Sequence, residues 1–300
     1  MKSLITGFLF LFAVASASAS DALIKPYFKA DSITGDMAQV VSAVKQKLTA
    51  GGFAVVGDVS PYPGTTIVVV TSPAMKAAAA MSDYGIFGAA QRVSITKAGS
   101  GMQIAYTNPT YMANAYQMKT DMDDVTAALN KALGNQGQYG PEKGLSKSDL
   151  RDYHYKFLMP YFYDRLDLAE YKSHAAAIAA VEKQLAAKAG GVSQVYRIDL
   201  PGKEKTLIGV HMSGPKNNDC SGDQYIMSRI DFKEYKSSAH LPYEMVISGK
   251  HVYALPAEFR IAISFPDLSM MGSNSFASIM CAPSAIKEAL TAAAGGKMDY

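Results

Sequence analysis

Cysteine occurs only twice in this 300-residue chain, histidine only five times, and no long apolar run follows the first 20 residues. Each scarcity removes a class of protein. A bilayer-crossing helix needs about 20 apolar residues, so no later segment reads as one. No two of His154, His174, His211, His240 and His251 stand at ligand spacing, so no zinc signature is present. Cys-Xaa-Xaa-Cys-His is absent, which removes covalent c-type haem but leaves non-covalent haem open. There is no Gly-Xaa-Ser-Xaa-Gly elbow, and Gly99-Ser100-Gly101 falls in a hairpin turn instead of between a strand and a helix, so it is no dinucleotide loop. The net charge is only +3, with no basic stripe of interleaved aromatics, and nucleic acid is not an expected partner. No motif assigns a catalytic residue, a metal or a cofactor.

What is there begins at the N-terminus. Lys2 is followed by an apolar run from Leu4 to Val14 and then by Ala15-Ser16-Ala17-Ser18-Ala19-Ser20. These are the three parts of a secretory signal. The run is too short to span a bilayer, and no cysteine follows it to carry a lipid. The pattern predicts a signal peptide over 1–19, cleavage after Ala17 or Ala19, a periplasmic location and no membrane span in the mature chain. In an oxidising compartment an even cysteine count predicts a disulfide, here between Cys220 and Cys281.

An internal repeat organises the rest. Ala43-Val44-Lys45-Gln46-Lys47-Leu48-Thr49-Ala50 before Gly51-Gly52 matches Ala180-Val181-Glu182-Lys183-Gln184-Leu185-Ala186-Ala187 before Gly190-Gly191. Met37, Val40, Val41, Val44 and Leu48 fall on one helical face, as do Ile178, Val181 and Leu185. Strands follow in parallel: Phe53–Val59 with Val192–Leu200, and Thr66–Val70 with Thr206–Val210. Hairpins then pair 92–97 with 102–107 and 245–247 with 251–255, and a further strand is expected over Glu258–Ser264. Ile104–Pro109 is matched with Ile261–Pro266, and closing helices are expected around Asp123–Leu133 and Ala282–Ala294. Asp121, Asp123 and Asp124 suit a helix start. The expected organisation is a first repeat over 20–134, a linker over 135–150 rich in Gly, Gln, Lys and Ser, and a second repeat over 151–300 with a disulfide-tied insertion between His211 and His240. Ile24–Phe28 and the aromatic run Tyr153–Tyr163 are read as the first strand of each unit, the second buried between the units, walling a ligand pocket or forming a partner surface.

The order of helix, Gly-Gly, strands, hairpin and Pro-marked helix start resembles, in duplicate, the bacterial family called domain of unknown function 302. The resemblance rests on Val44–Asp58, Val68–Met75, Arg92–Ile95 and Ile104–Met112, and in the second copy on Ala180–Val210 and Arg260–Pro266. It implies an α+β fold of two repeated units. Each would be β-α-β(4)-α, a curved antiparallel sheet with helices on one face, similar to the TATA-binding-protein-like fold. It implies no activity. Family members often show Asn-Pro or Cys-Asn-Pro where this chain has Thr71-Ser72-Pro73 and His211-Met212-Ser213-Gly214-Pro215, and a Pro-Cys pair where it has Ala89-Ala90. Chemistry at those family cysteines is therefore not expected.

The leading functional expectation is a non-enzymatic periplasmic binding or accessory protein whose partner is a small molecule or an envelope protein. Candidate ligand-binding residues are Tyr106, Asn108 and Tyr111 around Pro109, His211 and Met212 at a strand end, and Tyr155 in the aromatic run. A second expectation is a copper or haem binder. It rests on His211, Met212 and the sulfur-rich stretch Met270, Met271, Met280 and Cys281, since thioethers suit Cu(I), although methionine also fills irregular cores. A third is an enzyme with its site in a concave sheet face.

Overall fold

The computed structural model describes residues 22–214 and 219–297, so the expected signal peptide lies outside the described residues. The α+β class holds. The first sheet contains β1 (Tyr27–Lys29), β2 (Ala54–Tyr62), β3 (Thr65–Thr71), β4 (Gln91–Ala98), β5 (Gly101–Thr107) and β6 (Gln138–Tyr139), in the order β2-β3-β4-β5-β1-β6. The second contains β7 (Leu166–Glu170), β8 (Val192–Asp199), β9 (Lys205–Met212), β10 (Tyr243–Ser248) and β11 (His251–Ala254), in the order β8-β9-β10-β11-β7. Every pairing is antiparallel. Apart from β6, the two sheets share one strand order.

Helices fill the same slots in both halves. After the first strand come α1 (Met37–Ala50) and α6 (His174–Ala186); after the second hairpin strand come α2 (Pro73–Ala80) and α7 (Asp223–Ile230). After the fifth strand come α3 (Pro109–Ala115) and α4 (Asp123–Leu133) in the first half, and α8 (Ala257–Ser264) and α9 (Ala282–Ala293) in the second, with α5 (Lys147–Arg151) between halves. Local chemistry explains the boundaries. Asp36 and Gln39 form a capping box at the start of α1, Val40, Val44 and Leu48 bury one face, and Gly52, at φ +85°, ends the turn beyond it. Ser173 caps α6, which buries Ala177, Val181 and Leu185. Asp123 and Asp124 open α4, where acids complement the helix dipole. Helix α1 packs on β2, β3 and β4, and α6 on β8, β10 and β11. No helix among the described residues is long and apolar enough to cross a membrane.

Three expectations are corrected. Glu258–Ser264 is helix, not strand: α8 follows Pro256, as α3 follows Asn108, so the equivalent of β5 is β11 and the match of Ile104–Pro109 with Ile261–Pro266 fails. The run Tyr153–Tyr163 contains no strand; β7, starting at Leu166, pairs with β11 in the place that β1 takes beside β5. The segment over 135–150 is no loose linker either, since β6 pairs with β1 and buries Tyr139.

Polar residues of β4 explain how the halves meet. Val93 and Ile95 alternate with Arg92, Ser94 and Thr96, and all five are buried. Arg92 bonds Glu244 of β10 and Thr96 bonds Ser238, so this polar row of the first sheet is covered by the second half. At the edges the sheets touch directly: a Cβ on Gly57 of β2 would stand 2.3 Å from the carbonyl oxygen of Val195 in β8. Phe162, from the aromatic run, wedges between Phe87 and Tyr116 of the first half and Phe259 of the second.

Candidate functional site

The seam between the halves is polar and buried at its centre. The Glu244 carboxylate accepts from Arg92 Nη1 at 2.5 Å and from the Tyr196 hydroxyl at 3.1 Å, and lies 3.2 Å from Arg260 Nη2. All four side chains are buried. Arg260 also donates to the Tyr116 hydroxyl and to the carbonyls of His240 and Pro242. Tyr196 reaches Glu244 by lying across β9 where Gly209 has no side chain; a Cβ there would be 1.9 Å from the ring. His240 bonds Ser264 and Tyr243, and burial together with the neighbouring arginines holds its imidazole well below the usual range, hence neutral.

Toward the surface the seam opens into a cleft of about 430 Å3 between the β2–β3 turn and α7. Asp231, which ends α7, is 8 % exposed; its Oδ1 accepts from Ser237 N at 2.9 Å and Oδ2 from the Ser238 hydroxyl at 3.4 Å. Ser238 in turn accepts from the Tyr62 hydroxyl at 2.9 Å and from Thr96 Oγ1 at 3.2 Å. The Thr65 hydroxyl, in the same wall, is buried beside the Tyr62 hydroxyl. Met227, Phe232 and Pro63 add apolar surface, and Lys97 and Lys236 line the rim. Desolvation pushes the Asp231 carboxyl up from 3.8 to about 6, against the hydrogen bonds that favour its charged form. The Tyr62 hydroxyl is pushed up to about 12, again chiefly by burial.

That shift has a consequence for stability. A carboxyl that holds its proton more tightly when folded contributes stability below pH 3.8 that is lost as pH rises through about 6. Above that the charged, buried group costs roughly 3 kcal/mol. Asp231→Asn is expected to flatten the fall in unfolding free energy between about pH 4 and pH 7 by an amount of that order. Urea denaturation of both proteins at the two pH values measures it, and parallel profiles would refute the assignment.

The residues expected from sequence lie elsewhere. Tyr106 hydrogen-bonds Asn130 and the Gly134 carbonyl, Asn108 caps α3 and bonds the Lys25 carbonyl, and Tyr111 is fully buried with an unpartnered hydroxyl. Tyr155 stacks on Phe276 and bonds the Leu268 carbonyl. Met212 is a core residue, whereas His211 Nδ1 meets Asp223 Oδ2 at 2.6 Å. Burial raises the Asp223 carboxyl, and His211 opposes that shift. A carboxylate-held imidazole is the arrangement of a general base or of a metal ligand with its supporting acid. No cluster of three or more His, Cys, Asp or Glu suited to a metal exists among the described residues. Met271 and Met280 are exposed rather than gathered into a core. Cys220 and Cys281 are bonded as expected, with Cα atoms 5.8 Å apart. Sequence reading missed Asp231, Tyr62, Thr65 and Ser238. The only local signal was Ser237-Ser238 after an acid, which is common in turns.

No family model, no curated protein and no solved structure matches this chain.

Proposed function

We propose that this protein is an exported, non-enzymatic binding or accessory protein of the bacterial periplasm, and that it takes a small polar molecule into the cleft over Asp231. The observation that carries the reading is a buried carboxyl, pushed above its usual range, in the wall of a cleft that Tyr62, Thr65 and Ser238 also line. A charged carboxylate is costly to bury, and a ligand that donates to it recovers part of that cost. The halves also supply opposite walls, so a ligand there would bridge them. The common strand order of the two sheets supports a tandem duplication similar to domain of unknown function 302. The disulfide supports an oxidising compartment.

The test is the intact native mass of the protein recovered from its own periplasm without reductant, paired with thermal shift in deproteinised periplasmic extract. The expected result is a retained mass, or a shift in extract, that Asp231→Asn abolishes. Where the ligand donates to the carboxylate, binding should strengthen as pH rises through about 6. A bare oxidised chain that no extract stabilises would overturn the reading.

A further inference from the structure

A second cleft, of about 440 Å3, opens at another point of the boundary between the halves and shares no lining residue with the one over Asp231. Its floor is built around Arg165. The guanidinium lies 4.0 Å from the centroid of the Tyr84 ring and 5.0 Å from that of Tyr253. The two rings stand perpendicular to each other, 6.1 Å apart. One ring comes from each half, so the packing of the halves fixes the arginine's orientation before anything binds. Lys205 is the second cation; its ammonium donates to the backbone carbonyl of Asp83.

The charges here are left unpaired. Neither Arg165 nor Lys205 has a carboxylate oxygen within 4.0 Å among the described residues, in contrast to Arg92, Arg197, Lys147 and Lys233 elsewhere. Arg165 Nε and the hydroxyl of Tyr253, a residue only 3 % exposed, are both buried, and the hydroxyl has the guanidinium as a polar neighbour. Burial lowers the Lys205 ammonium below its usual range, and the Asp83 carboxylate only partly offsets that shift. Ser248 and His251 add further donors to the lining.

We propose that this cleft is a binding site for a small-molecule carboxylate, held in a fork by Arg165 and neutralised by Lys205. The planar guanidinium, stacked and preorganised, matches two carboxylate oxygens. The class is a single carboxylate and not a phosphate. Asp83 and Asp167 line the same opening, and their charges repel a dianion more strongly than a monoanion. The two tyrosine rings favour an apolar body behind the carboxylate.

The experiment is calorimetric titration of the full-length oxidised protein with acetate, benzoate and inorganic phosphate at fixed ionic strength near pH 7. Saturable binding is expected for the carboxylates, tighter for benzoate than for acetate, and weaker for phosphate. Arg165→Gln and Lys205→Gln should each weaken benzoate binding at least tenfold. Arg165→Lys should not restore it, because charge without the fork is insufficient. Asp167→Asn, on an exposed strand position, should tighten it several-fold. Asp231→Asn should leave it unchanged, so this proposal and the reading of the other cleft fail separately. Absence of saturable carboxylate binding, phosphate binding as tightly as benzoate, or indifference to Lys205→Gln would overturn the proposal. The last of these stands even if loss of the stacked Arg165 impairs folding.

Discussion

Glu244→Ala is expected to destabilise the protein by about 3–5 kcal/mol, the cost of breaking a buried ion pair by removing one partner. The carboxylate is fully buried and sits between two guanidiniums that are each about 1 % exposed. An arginine cannot lose its proton, so removing the anion leaves two positive charges in low dielectric with no route to neutrality. Arg260 keeps the carbonyls of His240 and Pro242 and the Tyr116 hydroxyl as acceptors; for Arg92 the other contacts that matter are weaker dipoles. Arg92 therefore bears most of the loss. The double variant Arg92→Met, Glu244→Leu removes that stranded charge together with its partner. It is expected to recover most of the stability, because a well-packed apolar pair is often as stable as the ion pair it replaces. Equilibrium denaturation of wild type, Arg92→Met, Glu244→Leu and the double variant closes the cycle. A loss below about 1 kcal/mol for Glu244→Ala, or no coupling between the two positions, would mean that the seam is hydrated and does not hold the halves together.

The same residues show why the seam was invisible in the sequence. Arg92-Val93-Ser94-Ile95-Thr96 alternates polar and apolar residues, the pattern of a strand with one face in water. The strand is there, as β4, but its polar face is covered by the other half. Arg92 and Glu244 are 152 positions apart, and nothing local pairs them. Elements whose own burial pattern sets them, such as α1, α4, α6 and the hairpin strands, fall where periodicity and capping place them. Glu258–Ser264 was misread because all but Glu258 of α8 are buried, so hydrophobic spacing no longer separates helix from strand. In the run Tyr153–Tyr163 the aromatic side chains serve separate contacts instead of two strand faces. Phe162 fills the junction, Tyr155 packs on Phe276, and Leu158 adopts φ +67°, which ends any extended stretch. The cleft over Asp231 needs β2, β3, α7 and the segment beyond it brought together, so it exists only in the tertiary structure.

Removing the disulfide by Cys220→Ser, Cys281→Ser is expected to cost about 4 kcal/mol, because the bond closes a loop with a sequence separation of 61 and withholds that freedom from the unfolded chain. The position concentrates the effect. Cys220 lies just before α7, and Cys281 immediately precedes α9, whose Ala285, Ile286, Ala289 and Leu290 are buried in the second half. The bond therefore fastens the start of α7 to the core, while Asp231 and Ser237 fasten its end. Helix α7 has only eight residues, too few to persist alone in water, so it depends on these two attachments and on Ile226, Met227 and Ile230. Thermal unfolding of the serine variant is expected to fall by roughly 10 °C, with reduced wild type falling by a similar amount. Hydrogen exchange should show α7 opening before α6 or α9 in the variant, and with it the wall of the cleft over Asp231 that carries Gln224, Met227 and Ser228. Ligand affinity at that cleft should weaken with the opening of α7, whereas carboxylate binding at Arg165, which uses no residue of α7, should persist. A shift of less than about 2 °C, or exchange spread evenly over the second half, would show that the packing of α7 holds the wall without the bond.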